Sequence, residues 1–144
     1  MTDRELIAVA FDAMRRAYTP YSHHQVGAAL LTRSGKVYAG CNIENAAFSP
    51  TVCAERTAFF KAVYDGERAF DKIAVVGGLD GIVTDYFSPC GVCRQVMSEF
   101  CEDDFSVIIA KSEDDYLVKT LNDLLSCRFS PQHLVDNPQN NNIC

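Results

Sequence analysis

The sequence predicts an α/β fold, namely a three-layer α/β/α sandwich with a mixed, roughly five-stranded sheet at its centre. Two observations lead to this prediction. Helical and strand patterns follow one another in the order helix, hairpin, helix, strand, helix, strand, and such an order is typical of helices packed around one sheet. The two strands of the predicted hairpin are also apolar at nearly every position, as expected where helices cover both faces of a sheet.

Length and composition predict one domain. The chain has 144 residues, of which 48% are hydrophobic, and this length lies in the usual range for a single domain. We expect one domain over residues 1–136 and a flexible polar tail over 137–144. No apolar run approaches the roughly 18 residues that span a bilayer, and the charged N-terminus does not resemble a secretory signal. A cytoplasmic location is therefore expected.

The first half of the chain is predicted to form a helix, a β-hairpin and a second helix. Thr2 and Glu5 make a capping-box pattern at the start of the first helix, whose apolar residues recur with helical spacing. The runs Val26–Thr32 and Val37–Cys41 are joined by a short turn that contains a glycine, which indicates a hairpin. Helical spacing returns from Cys53 to Tyr64.

The second half is predicted to alternate strands with short helices. Ser88 and Pro89 are typical of an N-cap and a first helical residue, so we expect the third helix to begin there. The other predicted elements are strands at Lys72–Gly78, Phe105–Ala110 and Tyr116–Lys119, the last of them at an edge, and a short helix capped by Thr120.

The charge balance disfavours nucleic acid as a partner. The sequence contains 13 Lys and Arg against 19 Asp and Glu, a formal net charge of -6, whereas binding to a phosphate backbone needs a basic surface. A small neutral or cationic substrate fits this balance better. The chain also has seven cysteines. In a reducing cytosol, such cysteines serve as metal ligands, catalytic groups or buried apolar side chains more often than as disulfides.

Three of the cysteines have the spacing of metal ligands. Cys90 and Cys93 form a Cys-x-x-Cys at the start of a predicted helix, and Cys53 begins another. Backbone donors and the helix dipole lower the pKa of a thiol at such a position and so favour the thiolate that binds metal. Zinc held by three thiolates carries excess negative charge, and Arg56 in the first turn of its helix is the natural counter-charge.

The spacing alone leaves three interpretations open. A catalytic zinc site keeps one position for water, and Glu55 is placed to act on that water without binding the metal. A structural zinc site needs a fourth protein ligand, which Cys101 or Cys41 would supply. The third interpretation is that the three cysteines are ordinary buried thiols.

Taken together, the motifs resemble the cytidine deaminase family, specifically its small, single-domain, homotetrameric type. Zinc deaminases combine a three-cysteine or His/Cys/Cys site with a non-ligating Glu and a Pro-Cys-x-x-Cys element. The resemblance extends from Tyr21 to about Leu134. It is carried by Tyr21-Ser22 with Val26-Gly27-Ala28-Ala29-Leu30, by Gly40-Cys41-Asn42-Ile43-Glu44-Asn45, by Cys53-Ala54-Glu55-Arg56, and by Ser88-Pro89-Cys90-Gly91-Val92-Cys93-Arg94-Gln95.

The resemblance implies a catalytic domain that deaminates cytidine and 2′-deoxycytidine hydrolytically in pyrimidine salvage, with Zn²⁺ as cofactor. It implies that Cys53, Cys90 and Cys93 bind the zinc and that Glu55 moves protons to N3 of the pyrimidine and to the departing ammonia. It also implies a homotetramer with active sites near subunit interfaces, and neither nucleic acid nor membrane as partner. The residues that it assigns to substrate binding are Asn42 and Glu44 on the ribose, together with His24, Ala46, Phe48, Ala54 and Phe129.

The chain departs from the family pattern at two positions. His24 stands where the family has a phenylalanine that packs against the pyrimidine, and we expect its imidazole to line the base pocket instead. Ser126 stands where the family tends to have proline, shortly before Phe129, which is expected to reach the active site of a neighbouring subunit. Cys41 is expected to be buried at the end of a strand. Cys101, Cys127 and Cys144 have no assigned role.

Three other functions compete with this one. A deaminase of an aminonucleoside antibiotic such as blasticidin S shares the Cys-Ala-Glu and Pro-Cys-Gly-x-Cys-Arg-Gln motifs, but the Asn42–Asn45 segment favours the cytidine enzyme. A polynucleotide-editing deaminase is disfavoured by the acidic balance, the short chain and Cys53 in place of His. A zinc-stabilised binding module without catalytic activity would need Glu55 only as a structural residue.

Overall fold

The computed structural model of the chain describes residues 1–134, so the predicted tail at 137–144 and Cys144 lie outside the described residues. The elements follow the predicted order. They are helix α1 (Asp3–Met14), strands β1 (His24–Thr32) and β2 (Val37–Cys41), helix α2 (Ala54–Tyr64), strand β3 (Phe70–Leu79), helix α3 (Gly91–Phe100), strands β4 (Ser106–Ala110) and β5 (Tyr116–Thr120), helix α4 (Leu121–Leu124) and a 3₁₀ turn (Pro131–His133).

The five strands form one mixed sheet in the order β2-β1-β3-β4-β5, which confirms the predicted fold class and the edge position of β5. Strands β1 and β2 pair as the predicted antiparallel hairpin, and β1 also pairs antiparallel with β3. Strands β3 and β4 are parallel, and α3 lies in the crossover that a parallel pair requires. The crossover from β3 to β4 therefore places helix α3 on one face of the sheet.

Two apolar layers separate the sheet from its helices. Successive residues of β1 point to opposite faces of the sheet, so that Ala28 and Leu30 pack with α2 and α3, whereas Ala29 and Leu31 pack with α1. All four side chains are buried. The predicted three-layer sandwich is thus confirmed, with α2 and α3 together on one face. No helix within the described residues is both long enough and apolar enough to cross a membrane.

The predicted cap of α1 is confirmed and the predicted start of α3 is wrong. Glu5 N donates to Thr2 Oγ1 at 3.3 Å, and Thr2 N donates to Glu5 Oε2 at 2.7 Å, which is the reciprocal bonding of a capping box. Helix α3, however, begins two residues later than expected, with Cys90 as its N-cap. The Ser88 hydroxyl accepts a hydrogen bond from Arg94 instead of capping the helix.

Glycine at position 40 allows α2 to lie directly on β2. A Cβ atom built there would lie 2.4 Å from Ala54 O and 2.6 Å from Ala58 N, and both are backbone atoms that cannot rotate away. We expect Gly40→Ala to lower the free energy of unfolding by about 3 kcal/mol, at the upper end of the usual cost of overpacking, as measured by urea denaturation.

The matched control for this change is Gly91→Ala on α3, where a Cβ atom would meet no atom within 4 Å. That variant should stay within about 0.5 kcal/mol of the parent protein, as surface substitutions usually do. Equal stability of the two variants would contradict the close approach of α2 and β2. Because α2 begins directly after Cys53, this approach also fixes the position of the first candidate metal ligand.

Candidate active site

The three cysteines singled out in the sequence lie together. Their sulfur atoms are all within 4.8 Å of one another. Cys53 Sγ is 3.7 Å from Cys90 Sγ, and Cys90 Sγ is 3.6 Å from Cys93 Sγ. Cys53 is the N-cap of α2 and Cys90 is the N-cap of α3, so the positive ends of two helix dipoles meet at this cluster.

The donor set fits zinc. Zinc–sulfur bonds of ~2.3 Å in a tetrahedral arrangement place sulfur atoms roughly 3.8 Å apart, close to the two separations in this cluster. Three cysteine thiols also match the soft donors that zinc prefers. The described chain therefore holds the three sulfur atoms at the spacing of zinc ligands.

The cluster has three cysteine members within residues 1–134. Cys41 Sγ donates to Arg16 O at 3.3 Å, and Cys101 lies in the apolar core between the sheet and α3. The interpretation that one of these two supplies a fourth ligand is therefore wrong. Cys41 lies at the end of β2 as expected, but it is only half-buried, which corrects the expectation that it is buried. Its pKa is raised by burial.

Arg56 compensates the charge of the cluster from one side. Its Nη2 atom lies 3.5 Å from Cys53 Sγ. Hydrogen bonds from Cys93 and from the Arg56 guanidinium lower the pKa of Cys53 to about 5, against the opposing effect of burial. The bond to this thiolate raises the pKa of Cys93, as does burial. Arg56 Nε is buried without a hydrogen-bond partner in the described chain, so the guanidinium keeps an unused donor beside the thiols.

Glu55 is the buried carboxyl group of the site. It lies in the first turn of α2, two residues after Cys53 and directly before Arg56, and is only 4% exposed. Burial raises the pKa of this carboxyl to about 7, and the negative charge on Cys53 acts in the same direction. A buried carboxyl without a salt bridge is costly for folding, so its retention next to the thiols points to a chemical role.

Asn42 lies beside the chain segment that leads into Cys53. Ile43 and Val52 form an isolated antiparallel bridge, so the residue after Asn42 pairs with the residue before Cys53. The Asn42 side chain is buried, and both of its polar atoms bond the backbone of β1. Val26 N donates to Oδ1 at 2.9 Å, and Nδ2 donates to His24 O at 2.8 Å. One proton on Nδ2 and one lone pair on Oδ1 remain for a further partner.

Glu44 fixes the turn that precedes β1. Its Oε1 atom accepts hydrogen bonds from Tyr21 N at 3.0 Å and Ser22 N at 3.1 Å. Hydrogen bonds from Ser22 and Tyr21 lower the pKa of Glu44, so this side chain is a carboxylate at neutral pH, and no hydrogen bond to its Oε2 atom occurs in the described chain. This turn contains Tyr21-Ser22, the first of the four motifs that carry the family resemblance. Glu44 belongs to the second motif, so its hydrogen bonds link the two.

His24 stands between these polar residues and the segment that leads to Cys90. Its ring lies over that of Phe87, with 6.2 Å between centroids and an interplanar angle of 33°. His24 Nδ1 is 3.0 Å from Ser22 O, and a carbonyl oxygen only accepts, so Nδ1 carries a proton. Phe87 was not expected from the sequence, because nothing in its local pattern distinguishes it from a core aromatic residue.

The other predicted substrate residues differ widely in exposure. Phe48 is 71% exposed with φ of 58° and makes an edge contact with Tyr21, at 5.9 Å between centroids. Ala46 is exposed on the same loop, whereas Ala54 is fully buried in the first turn of α2. Phe129 is 57% exposed, far along the chain, and stacks on His133 at 5.0 Å.

Cavity size does not identify this site. A cavity of about 590 Å³ lies between the end of α3 and residues 126–132, and a smaller one of about 320 Å³ lies between α1, β2 and α2. Neither is lined by the three clustered cysteines or by Glu55. The chemistry of the side chains is therefore the better indicator of the reactive centre.

The chain shows clear similarity to known proteins. The family model of the cytidine and deoxycytidylate deaminase zinc-binding region matches residues 1–109. A cytidine deaminase of Sporosarcina psychrophila is 49% identical over 134 residues, which cover 93% of this chain and 96% of that protein. A blasticidin-S deaminase of Bacillus cereus is 34% identical over 133 residues, or 89% and 92% of the two chains. The crystal structure of a cytidine deaminase from Burkholderia pseudomallei matches with a TM-score of 0.83 and 44% identity, over 90% of this chain and 100% of that one.

Proposed function

The chain belongs to the family of cytidine and deoxycytidylate deaminases, and we propose that it hydrolyses cytidine and 2′-deoxycytidine to uridine and 2′-deoxyuridine with release of ammonia. The observation that carries this proposal is the cluster of three thiols with a buried carboxyl group two residues after one of them. Zinc is the metal of this enzyme, and Cys53, Cys90 and Cys93 hold it.

Bound zinc supplies the Lewis acidity that makes water a nucleophile at neutral pH. Glu55 carries the protons of the reaction. It takes a proton from the attacking water and delivers it to N3 of the pyrimidine as the water oxygen bonds to C4. It then takes the remaining proton of that oxygen and delivers it to the amino group as the C4–N bond breaks and the C4=O bond forms. Water thereby replaces the amino group, with the keto product and ammonia as the two outcomes. The buried position of Glu55 keeps bulk water from competing for these protons.

Arg56 offsets the charge of the thiolates in this proposal. Three thiolates and one zinc ion leave a net charge of about -1, and the guanidinium next to Cys53 neutralises it at short range.

Asn42 and Glu44 hold the ribose. Each already uses part of its hydrogen-bonding capacity to fix the backbone of β1 or the turn before it, so the remaining donor and acceptors are held in fixed positions. A site with fixed polar groups for a sugar hydroxyl rejects ligands that lack it, because those groups are then left unpaired. The free base is therefore expected to be a poor substrate.

His24 and Phe48 contact the base, and Ala46 and Ala54 line the pocket. Phe129 enters the active site of a neighbouring subunit, so that the sites are composite, and the enzyme is a homotetramer as the family resemblance implies. The 57% exposure of Phe129 leaves it accessible for such a contact. We also place the enzyme in the cytoplasm, because a reducing compartment keeps ligand thiols from forming disulfides. Its role in pyrimidine salvage follows from the proposed reaction, which converts a cytosine nucleoside to a uracil nucleoside.

The test is turnover by purified, zinc-loaded protein, followed as the loss of cytidine absorbance in the ultraviolet and by ammonia release. Cytidine and deoxycytidine should both be converted. Blasticidin S belongs in the same assay because a deaminase named for it is among the relatives, and a clear preference for it would replace the cytidine assignment. Failure to convert all three would refute the proposed function.

A further inference from the structure

Cys90 is the most exposed of the three clustered cysteines, since Cys53 is half-buried and Cys93 is buried. It lies at the end of the connection between β3 and α3, where the chain has no regular ladder to fix it. Cys90 is the N-cap of α3, and its side chain makes no capping hydrogen bond. The position of its sulfur relative to those of Cys53 and Cys93 therefore depends on the contacts of the neighbouring residues.

The Arg94 side chain contacts the two residues before Cys90. Its Nε atom donates to Pro89 O at 2.8 Å, and its Nη2 atom donates to Ser88 Oγ at 2.8 Å. The Arg94 backbone N–H also donates to Cys90 O at 3.0 Å. One residue thus fixes three successive positions, of which the last is the metal ligand.

The third nitrogen of Arg94 connects this segment to another part of the core. Nη1 donates to Leu124 O at 2.6 Å, at the last residue of α4. Helix α4 is itself held in place by Leu121, which is fully buried in the core between the sheet and α3. The guanidinium therefore joins the segment before Cys90 to a rigid element that is distant in sequence.

We propose that Arg94 is a positioning residue for the metal centre, holding Cys90 where its sulfur meets those of Cys53 and Cys93 before the metal arrives. The role needs a planar group with several donors in fixed directions, because the guanidinium donates to three acceptors on three different residues, namely Ser88 Oγ, Pro89 O and Leu124 O. Lysine has the same charge but a single nitrogen, and it cannot reproduce a guanidinium fork. The proposal rests on the zinc-dependent function proposed above.

The test compares zinc release from Arg94→Lys and Arg94→Ala with release from the parent protein, measured as transfer of the metal to a chromogenic chelator. Groups that orient metal ligands typically change metal affinity by about 10- to 100-fold. We expect both variants to release zinc faster by a factor in this range, with Arg94→Lys the milder change. Circular dichroism and thermal unfolding show that the measurement is made on folded protein, and Arg94→Lys serves if the alanine variant does not fold.

Arg128→Lys is the matched control, because it makes the same substitution at another largely buried arginine. Arg128 Nη1 pairs with Asp103 Oδ1 at 2.6 Å, and within the described residues no hydrogen bond or ion pair joins Arg128 to Ser88, Pro89 or Cys90. Its zinc release should equal that of the parent protein. Release from Arg94→Lys at the parent rate, or equal acceleration in Arg128→Lys, would overturn the proposal. A parent protein that binds no zinc would instead refute the proposed function itself.

Discussion

Glu55→Gln is expected to retain zinc and to lose nearly all turnover of cytidine. Glutamine has the size of glutamate and fits the same buried position, but it cannot take up and deliver a proton. General acid–base catalysis contributes on the order of 10²–10⁴-fold to a rate, and Glu55 serves at more than one step, so we expect the loss to lie at the upper end of this range. Glu55→Ala should lose at least as much.

The measurement is cytidine turnover together with zinc content and the urea unfolding curve of the same samples. Glu99→Gln provides the control, since it makes the same change on an exposed position of α3. That variant should behave as the parent enzyme in all three measurements. Turnover by Glu55→Gln within tenfold of the parent enzyme would contradict the proton-carrying role. Full zinc content without cytidine turnover in the parent protein and in every variant would favour a binding module.

The fold was predictable because local patterns and tertiary packing agree over most of the chain. Strand β1 is apolar on both faces because α1 covers one face and α2 the other, and the sequence displays this as an unbroken apolar run. The capping box of α1 needs only residues that are close in sequence. The start of α3 differs from the prediction because Ser88 Oγ accepts a hydrogen bond from the Arg94 side chain, and this contact replaces the capping bond that the local pattern predicts.

The spacing of residues in the sequence predicted part of the site. Cys90 and Cys93 are neighbours at the start of one helix, so their proximity follows from the sequence. Cys53 was a candidate because it begins another predicted helix. The choice between three and four ligands was not predictable, because it depends on where the fold places Cys41 and Cys101. The hydrogen-bond partners of the Asn42 side chain were not predictable either, because they too depend on where the fold places β1.

Two residues that support the site without touching the metal, Arg94 and Phe87, received no role from the sequence. Arg94 and Phe87 act through contacts to atoms far away in sequence, namely Leu124 O and the His24 ring. One local signal was present for Arg94, since a charged residue four positions after an N-cap is one helical turn from it and faces the same end of the helix. No comparable signal distinguishes Phe87.

Cys93→Ala is expected to abolish stable zinc binding and, with it, activity. Cys93 is 1% exposed, in the first turn of α3, and alanine suits a helix at that position. The substitution therefore removes a ligand with little effect on the helix itself. Metal that binds only the folded state adds its binding free energy to stability, so the variant should unfold at the lower temperature of chelator-treated parent protein.

The thermal unfolding comparison separates ligation from packing. Chelator should lower the unfolding temperature of the parent protein and leave that of Cys93→Ala unchanged, because no bound metal remains to be removed. Cys41→Ala is the control: its sulfur bonds Arg16 O outside the cluster, so this variant should keep a full equivalent of zinc and the full response to chelator. Retention of zinc by Cys93→Ala would show that the metal is held by a different set of donors, because two cysteines of the cluster alone do not make a zinc site of this kind.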